Sequence, residues 1–484
     1  MLKKKNLINK AYNTSNSSFF GEEETLDRTV FASEIKEKSI ILNHSKKLIS
    51  FLIFLFVFSS LVIFAEDELI QEYQIKFIRV YGGDTETNPP ILVIQSETVK
   101  KVVSIGSSTI TIEFDVQADV PPSIYAKFFH CAVDWNESDN VFLNDIVFNR
   151  TSNINWESAP FFATNYSWRG TIKVPDTQVK FNYPGNWKVK LFDYDDDSKP
   201  IAEARFFVLL PKVDAEMNLY TTFYSPEASV ASSGMEIETV VYAPQEMIDS
   251  RLNTVVLYRN NRWFEPYFIT ERRDLNINTK QYRTHYRTME GGIASVGKRF
   301  RLEGIPAENE YRILNLTNLA EYPRINGPVR LSFSDLRRNS YFDEYADDGY
   351  MTTYYVTSSN DGYIYLEFLL DPDGWISNDD VFVVGSFNNW KPSEEWMMYY
   401  DEDERFYKLR QWVRRGRHNY LYATGSLNID TKEVERQSFE EYEGNTSSTS
   451  NTFISFIYYR EFDYGGYDAL VGVVAANIFG YIRK

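Results

Sequence analysis

The chain is 484 residues long, enough for three domains of ordinary size, and its 43% hydrophobic and 16% aromatic content can fill real cores and favours sheets over helical bundles. A formal charge of −17 works against phosphate backbones and anionic lipid surfaces, so no nucleic-acid partner is expected. One cysteine excludes an internal disulfide, and four histidines leave little material for metal or general-base chemistry.

Residues 46–65, KKLISFLIFLFVFSSLVIFA, place two lysines before a 17-residue apolar run ending in a small residue, the layout of a secretory signal peptide. Cleavage after Ala65 would leave Glu66 as the mature N-terminus. A single-span anchor is the alternative, for which the run is slightly short. The 45 residues before Lys46 are too long for an ordinary n-region and suggest a start codon called too early. With the 9 basic and 6 acidic residues of 1–65 removed, residues 66–484 carry 42 basic and 62 acidic side chains, a net of −20.

In STITIEFDV, Ile110, Ile112, Phe114 and Val116 alternate with polar residues, the period of a half-buried strand. The next strand, Ser123 to Val133, holds the only cysteine, with His130 before Cys131. Neighbours on a strand point to opposite faces, so this histidine cannot activate this thiol. The expectation is a buried structural cysteine beside Phe129 and Val133. NWKVKLFD alternates Trp187, Val189 and Leu191 with Lys188 and Lys190. DYDDD, Asp193 with Asp195 to Asp197, imitates an EF-hand opening but has Ser198 and Ala204 where glycine and glutamate are needed, so it reads as a solvated hairpin. RFFVLL (205–210) closes the first piece, and Leu210-Pro211-Lys212 breaks the pattern.

The second piece has strands IETVVYA (237–243) and TVVLYR (254–259). Its GIASVGKR, Gly292 to Arg299, is one residue short of a phosphate-binding loop: Arg299 stands where Ser or Thr must hold Mg²⁺, and RFRLEGIP continues as a strand, so a hairpin turn is expected. After the acidic DEYADDGY (343–350) come YIYLEFLL (363–370), VFVVGSF (381–387) and TFISFIYYR (452–460). Many short strands between turn signals predict an all-β chain of three consecutive β-sandwich, immunoglobulin-like domains, with boundaries at 66–212, 213–345 and 346–484. No HExxH, GxSxG or CxxC occurs. Neither a catalytic residue, a cofactor, a metal nor a small-molecule substrate is expected.

Val381 to Tyr422 resembles the glycogen-binding type of carbohydrate module, an immunoglobulin-like sandwich, through Gly385, Phe387 and Trp390 of GSFNNW and the later GRHNY. In such modules sugar stacks between two tryptophans beside a lysine. Trp390 matches the first tryptophan, Leu421 stands at the lysine position, and ATGSLN (423–428) lacks the second tryptophan. The resemblance implies an inherited fold without the carbohydrate ligand.

Taken together, the three pieces resemble the type IX secretion system plug proteins of Bacteroidetes-like bacteria. The first carries HCAVDWNESD, with His130, Cys131 and Trp135, then YPGNWKVKLFD, with Gly185 and Asn186. The second carries LYRNNRW, with Asn260 and Trp263, and GKRFR, with Gly297, Arg299, Phe300 and Arg301. The third carries VFVVGSFNNW, EYEGNT with Gly444 and Asn445, and YYREFDYGGYDALVG with Tyr459, Arg460, Tyr467 and Asp468. An arginine expected before Tyr467 is replaced by Gly466. The resemblance implies a non-enzymatic periplasmic protein whose partner is a giant outer-membrane β-barrel translocon, which it closes when no cargo occupies it. A rigid rod of three sandwiches would suit that task. A periplasmic carbohydrate-binding protein is the alternative.

Overall fold

The computed structural model describes residues 74–478 apart from 96–103, 145–148, 224–232, 276–282, 290–296, 339–347 and 446–448. The signal-like segment 46–65 and most of DEYADDGY lie outside the described residues. So do residues 292–296 of the P-loop-like stretch; from Gly297 the chain is a strand, Gly297–Pro306. What is described is all-β, with six sheets paired into three sandwiches.

The first sandwich sets Gln74–Gly82, Ile110–Gln117, Trp168–Val174 and Asn155–Ser158 against Ile91–Val93, Ala202–Leu209, Gly185–Asp193, Ile124–Cys131 and Arg150–Thr151. The two alternating patterns meet in its core, where Ile110, Ile112, Phe114 and Val116 pack with Trp187, Val189 and Leu191. Lys188 and Lys190 lie on the other face, paired with Glu137 and Glu203. The DYDDD run joins two strands of this sheet, and Asp197 accepts hydrogen bonds from Tyr125 (3.1 Å) and Lys127 (3.2 Å). Among the described residues no cluster of His, Cys, Asp or Glu could hold a metal ion.

The middle sandwich departs from the expected boundaries. One of its sheets is Asp214–Phe223, Ser233–Tyr242, Gly297–Pro306 and Arg283–Met289. The other is Tyr267–Thr270 and Leu252–Arg259 joined by the last two strands of the chain, Asn451–Glu461 and Tyr467–Ile478. These strands fall in the 346–484 segment but belong to the middle sandwich. The reason lies in TFISFIYYR, apolar on both faces. Phe453, Ile457 and Tyr459 fill the middle core, while Ile454, Phe456 and Tyr458 face the first sandwich. A strand buried on both faces reads as a continuous apolar run and needs a central place in a sheet.

The third sandwich is therefore an insertion. Arg312–Asn315, Arg417–Leu427, Asp380–Gly385 and Val434–Ser438 face Val329–Arg330, Tyr363–Asp371, Phe406–Arg414 and Tyr399–Asp401. The chain enters it at 307–311 and returns through the short helix Glu440–Glu443 and Gly444, whose φ of +77° turns it back. Nor do the sandwiches form a rod, because each contacts both of the others.

Candidate functional site

The Leu210-Pro211-Lys212 break is not a free linker. The Leu210 and Lys212 amides donate to Leu470 and Val471 of the last strand, which begins a weld between the first two sandwiches. Ile91, Cys131, Val133, Trp135, Phe207 and Leu209 of the first share one apolar cluster with Val256, Tyr258, Ile454, Phe456, Tyr458 and Leu470 of the middle one. The Phe207 and Phe456 rings lie 4.3 Å apart, and Trp135 Nε1 donates to Tyr258 Oη at 3.2 Å.

Family-motif residues form the polar part of this weld. Asn186 Nδ2 donates to the Ala132 and Val133 carbonyls, both at 3.2 Å, and its Oδ1 accepts from Tyr458 Oη at 2.5 Å. Asp468 accepts from the Val133 amide (3.1 Å), Arg272 (2.6 Å) and Arg460 (3.1 Å). Those two arginines supply the cations beside Asp468, and a Cβ on Gly466 would stand 3.4 Å from Arg460 Nη2. Tyr467 packs edge-on against His130 at 5.5 Å, and Gly185 fits beneath, where a Cβ would meet His130 Nε2 at 2.5 Å.

His130 and Cys131 belong to different environments. The His130 ring is buried between Trp187 and Tyr467, its Nε2 reaches the Pro184 carbonyl at 3.3 Å, and burial pushes its pKa down to about 4. Cys131 lies in the weld, and burial pushes its thiol up to about 12, the reverse of a nucleophile's requirement. Cys131→Ser should therefore leave function intact and lower stability by about 1–3 kcal/mol, because the new hydroxyl lands in an apolar cluster. Urea unfolding of the two proteins measures it, and an unchanged midpoint would mean the cluster tolerates a polar atom.

The middle and third sandwiches meet through buried charge. Arg259 and Arg262 are fully buried and share Glu308, at 2.8 Å and 3.0 Å, while Glu265 lies 3.3 Å from Arg262 Nε. Asn260, at φ +45°, donates to Tyr311 Oη (2.7 Å) and accepts from the Thr452 amide (2.7 Å). Asn445 accepts from the Glu308 amide at 3.1 Å. Trp390 is closed in here, 3% exposed, 4.6 Å from the Tyr311 ring, with its Nε1 donating to Gly349 O at 2.9 Å. Leu421 shares that cluster, and Phe387 stacks on Trp396 in the third core. A buried ring offers a sugar no face.

Two motif groups stay inside single sandwiches. Phe300 lies in the middle core, Arg299 and Arg301 pair with Glu238 and Glu236 across neighbouring strands, and Gly297 pairs with Tyr242. Gly385 leaves room for the Asn419 carbonyl, which a Cβ would meet at 2.5 Å.

Sequence reasoning missed the contact between the first and third sandwiches. Arg414 reaches Glu113 (2.5 Å) and Asp115 (3.3 Å), Arg169 bridges Asp115 (2.7 Å) to Asp361 (3.0 Å), and Arg79 joins Glu113 (2.9 Å) to Glu86 (2.8 Å). Burial pushes the Glu113 carboxyl upward, but Arg414, Arg79 and Arg169 outweigh it and hold it well below the usual carboxylate range. Tyr363 and Tyr166 donate to Asp115 and Asp361. At the edge of this seam both sandwiches expose aromatic side chains: the ring pair Phe161 (95% exposed) and Phe162 on the first, and the ring pair Tyr354 (84%) and Tyr355 on a loop of the third, where Ile325 is exposed as well. Arg324 ties the two sides, stacked 5.6 Å over Phe162 and donating to Ser359 O at 2.6 Å.

Three comparisons bear on this body. Residues 75–210 match the family model described as type 9 secretion system plug protein 1st domain. A crystal structure of a hypothetical protein from Parabacteroides merdae is similar with a TM-score of 0.64 at 18% identity, covering 84% of this chain and 97% of that one, which establishes a shared fold. No curated protein matches the sequence.

Proposed function

We propose that this chain, whose residues 75–210 match the model of the type 9 secretion system plug protein 1st domain, binds the periplasmic mouth of the giant outer-membrane β-barrel translocon and seals it when no cargo occupies it. The single observation that carries the reading is that family domain locked to two further sandwiches. Each sandwich contacts the other two, so the body can span an aqueous mouth without folding into it. Among the described residues no helix is long and apolar enough to cross a membrane. The signal-like segment before Glu66 would deliver the chain to the periplasm.

The surface we assign to the barrel is made of the two exposed ring pairs, Phe161–Phe162 and Tyr354–Tyr355, together with Ile325. It draws on two sandwiches, so it exists only in the assembled body, and aromatic anchors of this kind dominate protein interfaces. Deleting the gene should leave export working but make the cell sensitive to large antibiotics and dyes that the outer membrane normally excludes. That sensitivity should require the barrel, because the leak runs through it. Supplying the wild-type chain should restore the seal, whereas a folded Phe161→Asp, Tyr354→Asp variant should not. Unchanged permeability on deletion would defeat the plug reading, and full restoration by the double variant would move the contact elsewhere.

A further inference from the structure

We propose that the cavity where all three sandwiches meet binds an oxyanion, a carboxylate or phosphate group, with Arg205 as its main cation. The cavity, about 80 Å³, is lined by Arg79 and Arg205 of the first sandwich, Asn261 and Trp263 of the middle one, and Ser386 and Asn389 of the third. That is room enough for a small polyatomic ion or the end of an acidic side chain.

Arg205 is the anomaly. Other interior arginines have acceptors: Arg259 and Arg262 share Glu308, Arg312 has Glu443, and Arg415 donates to the Leu316 and Tyr322 carbonyls. Arg205 makes neither an ion pair nor a hydrogen bond among the described residues, and its Nε is buried without an acceptor. Its guanidinium is held between aromatic faces, 4.7 Å from the Trp135 ring and 4.3 Å from the Phe264 ring, which satisfies its planes and leaves its buried Nε–H without a partner. The nearby Glu203 already serves Lys188 and Lys190.

A second donor faces the same space. Arg79 is 8% exposed, and its Nη1 is buried without an acceptor although its Nε and Nη2 bind Glu113 and Glu86. Glu86, the one carboxylate in the wall, is occupied by Arg79 and by the Thr353 amide and hydroxyl. The wall therefore carries two cations and one committed anion. An oxyanion entering it would neutralise Arg205 and accept the orphaned N–H groups. Because all three sandwiches line the cavity, such a ligand would also tighten their arrangement. This inference stands independently of the plug reading.

Calorimetry and thermal melting of the purified protein test it, with inorganic phosphate, glutarate and a short Asp-rich peptide each compared with chloride at equal ionic strength. The expected result is saturable binding and a rise in melting temperature of about 2 °C or more at ten times the Kd. Phosphate and glutarate binding alone would assign the site to free ions, and peptide binding alone to a carboxylate of a partner chain. Arg205→Gln should abolish the response without lowering the ligand-free melting temperature, since it removes an uncompensated cation. Absence of saturable binding by all three probes in the unmodified protein overturns the proposal whatever the variant does. So does an undiminished response in Arg205→Gln.

Discussion

Replacing Glu308 with alanine should destabilise the protein by about 3–5 kcal/mol, because it leaves Arg259 and Arg262 buried with half their charge compensation gone. Both guanidiniums are fully buried, and Arg259 retains only the Pro306 carbonyl. Glu265 can serve Arg262 at 3.3 Å, but no carboxylate other than Glu308 pairs with Arg259 among the described residues. Glu308 stands two residues past the strand Gly297–Pro306, where the chain passes into the third sandwich, so the loss should concentrate at that junction. Scanning calorimetry should show the third sandwich melting ahead of the rest. Replacing Arg259, Arg262, Glu265 and Glu308 together with apolar residues of similar volume should recover much of the stability, since an apolar contact carries no desolvation penalty. A cost below about 1 kcal/mol for Glu308→Ala would mean that Glu265 reorganises to hold both arginines.

Acidification should weaken the fold steeply between pH 6.5 and 4. His130 and His418 are buried and neutral, each pushed by burial from the ordinary value of 6.5 down to about 4. For His418, Nε2 lies 2.8 Å from the Arg414 carbonyl and Nδ1 lies 3.1 Å from Ser386 Oγ, partners that suit a neutral ring donating from one nitrogen and accepting at the other. Below pH 6.5 the unfolded chain binds protons that the folded rings refuse, so stability falls with pH and the loss is complete near pH 4. Each ring contributes about 3 kcal/mol to that loss. The depressed carboxylates Glu113, Glu86 and Asp361 act in the same direction lower down: their contribution is present above the ordinary carboxylate range and disappears as pH falls through their folded values. Melting temperature measured from pH 7.5 to 4 checks this. A flat profile down to pH 5 would show that neither ring is held neutral.

His130 also shows how much of the site was legible. Strand alternation separates it from Cys131 without any structure, and the motif order HCAVDWNESD, YPGNWKVKLFD and YYREFDYGGYDALVG points to the family. Nothing local says that the three motifs meet. Asp468 reaches the Val133 amide across 335 positions, and that contact appears only when the last hairpin docks on the first sandwich. Trp390 resembles a surface platform in sequence because its motif specifies a turn; its burial comes from Tyr311 and Arg262, which lie outside that motif.

By itself the sequence determined what short-range periodicity can carry: the strands, the sandwich class and the core face of elements such as Ile110–Gln117, whose Ile110, Ile112, Phe114 and Val116 are fully buried. The tertiary structure decided what covers the opposite face. Thr111 and Asp115 alternate as solvent-facing residues should, yet they are buried, and Glu113 beside them is held by Arg414 of the third sandwich. It also decided that the final two strands complete the middle sandwich. The physical reason is the same in both cases. A period of two assigns each side chain to a face of its own strand, whereas the partner of that face is chosen by the long-range fit of charge and shape, which no local window contains.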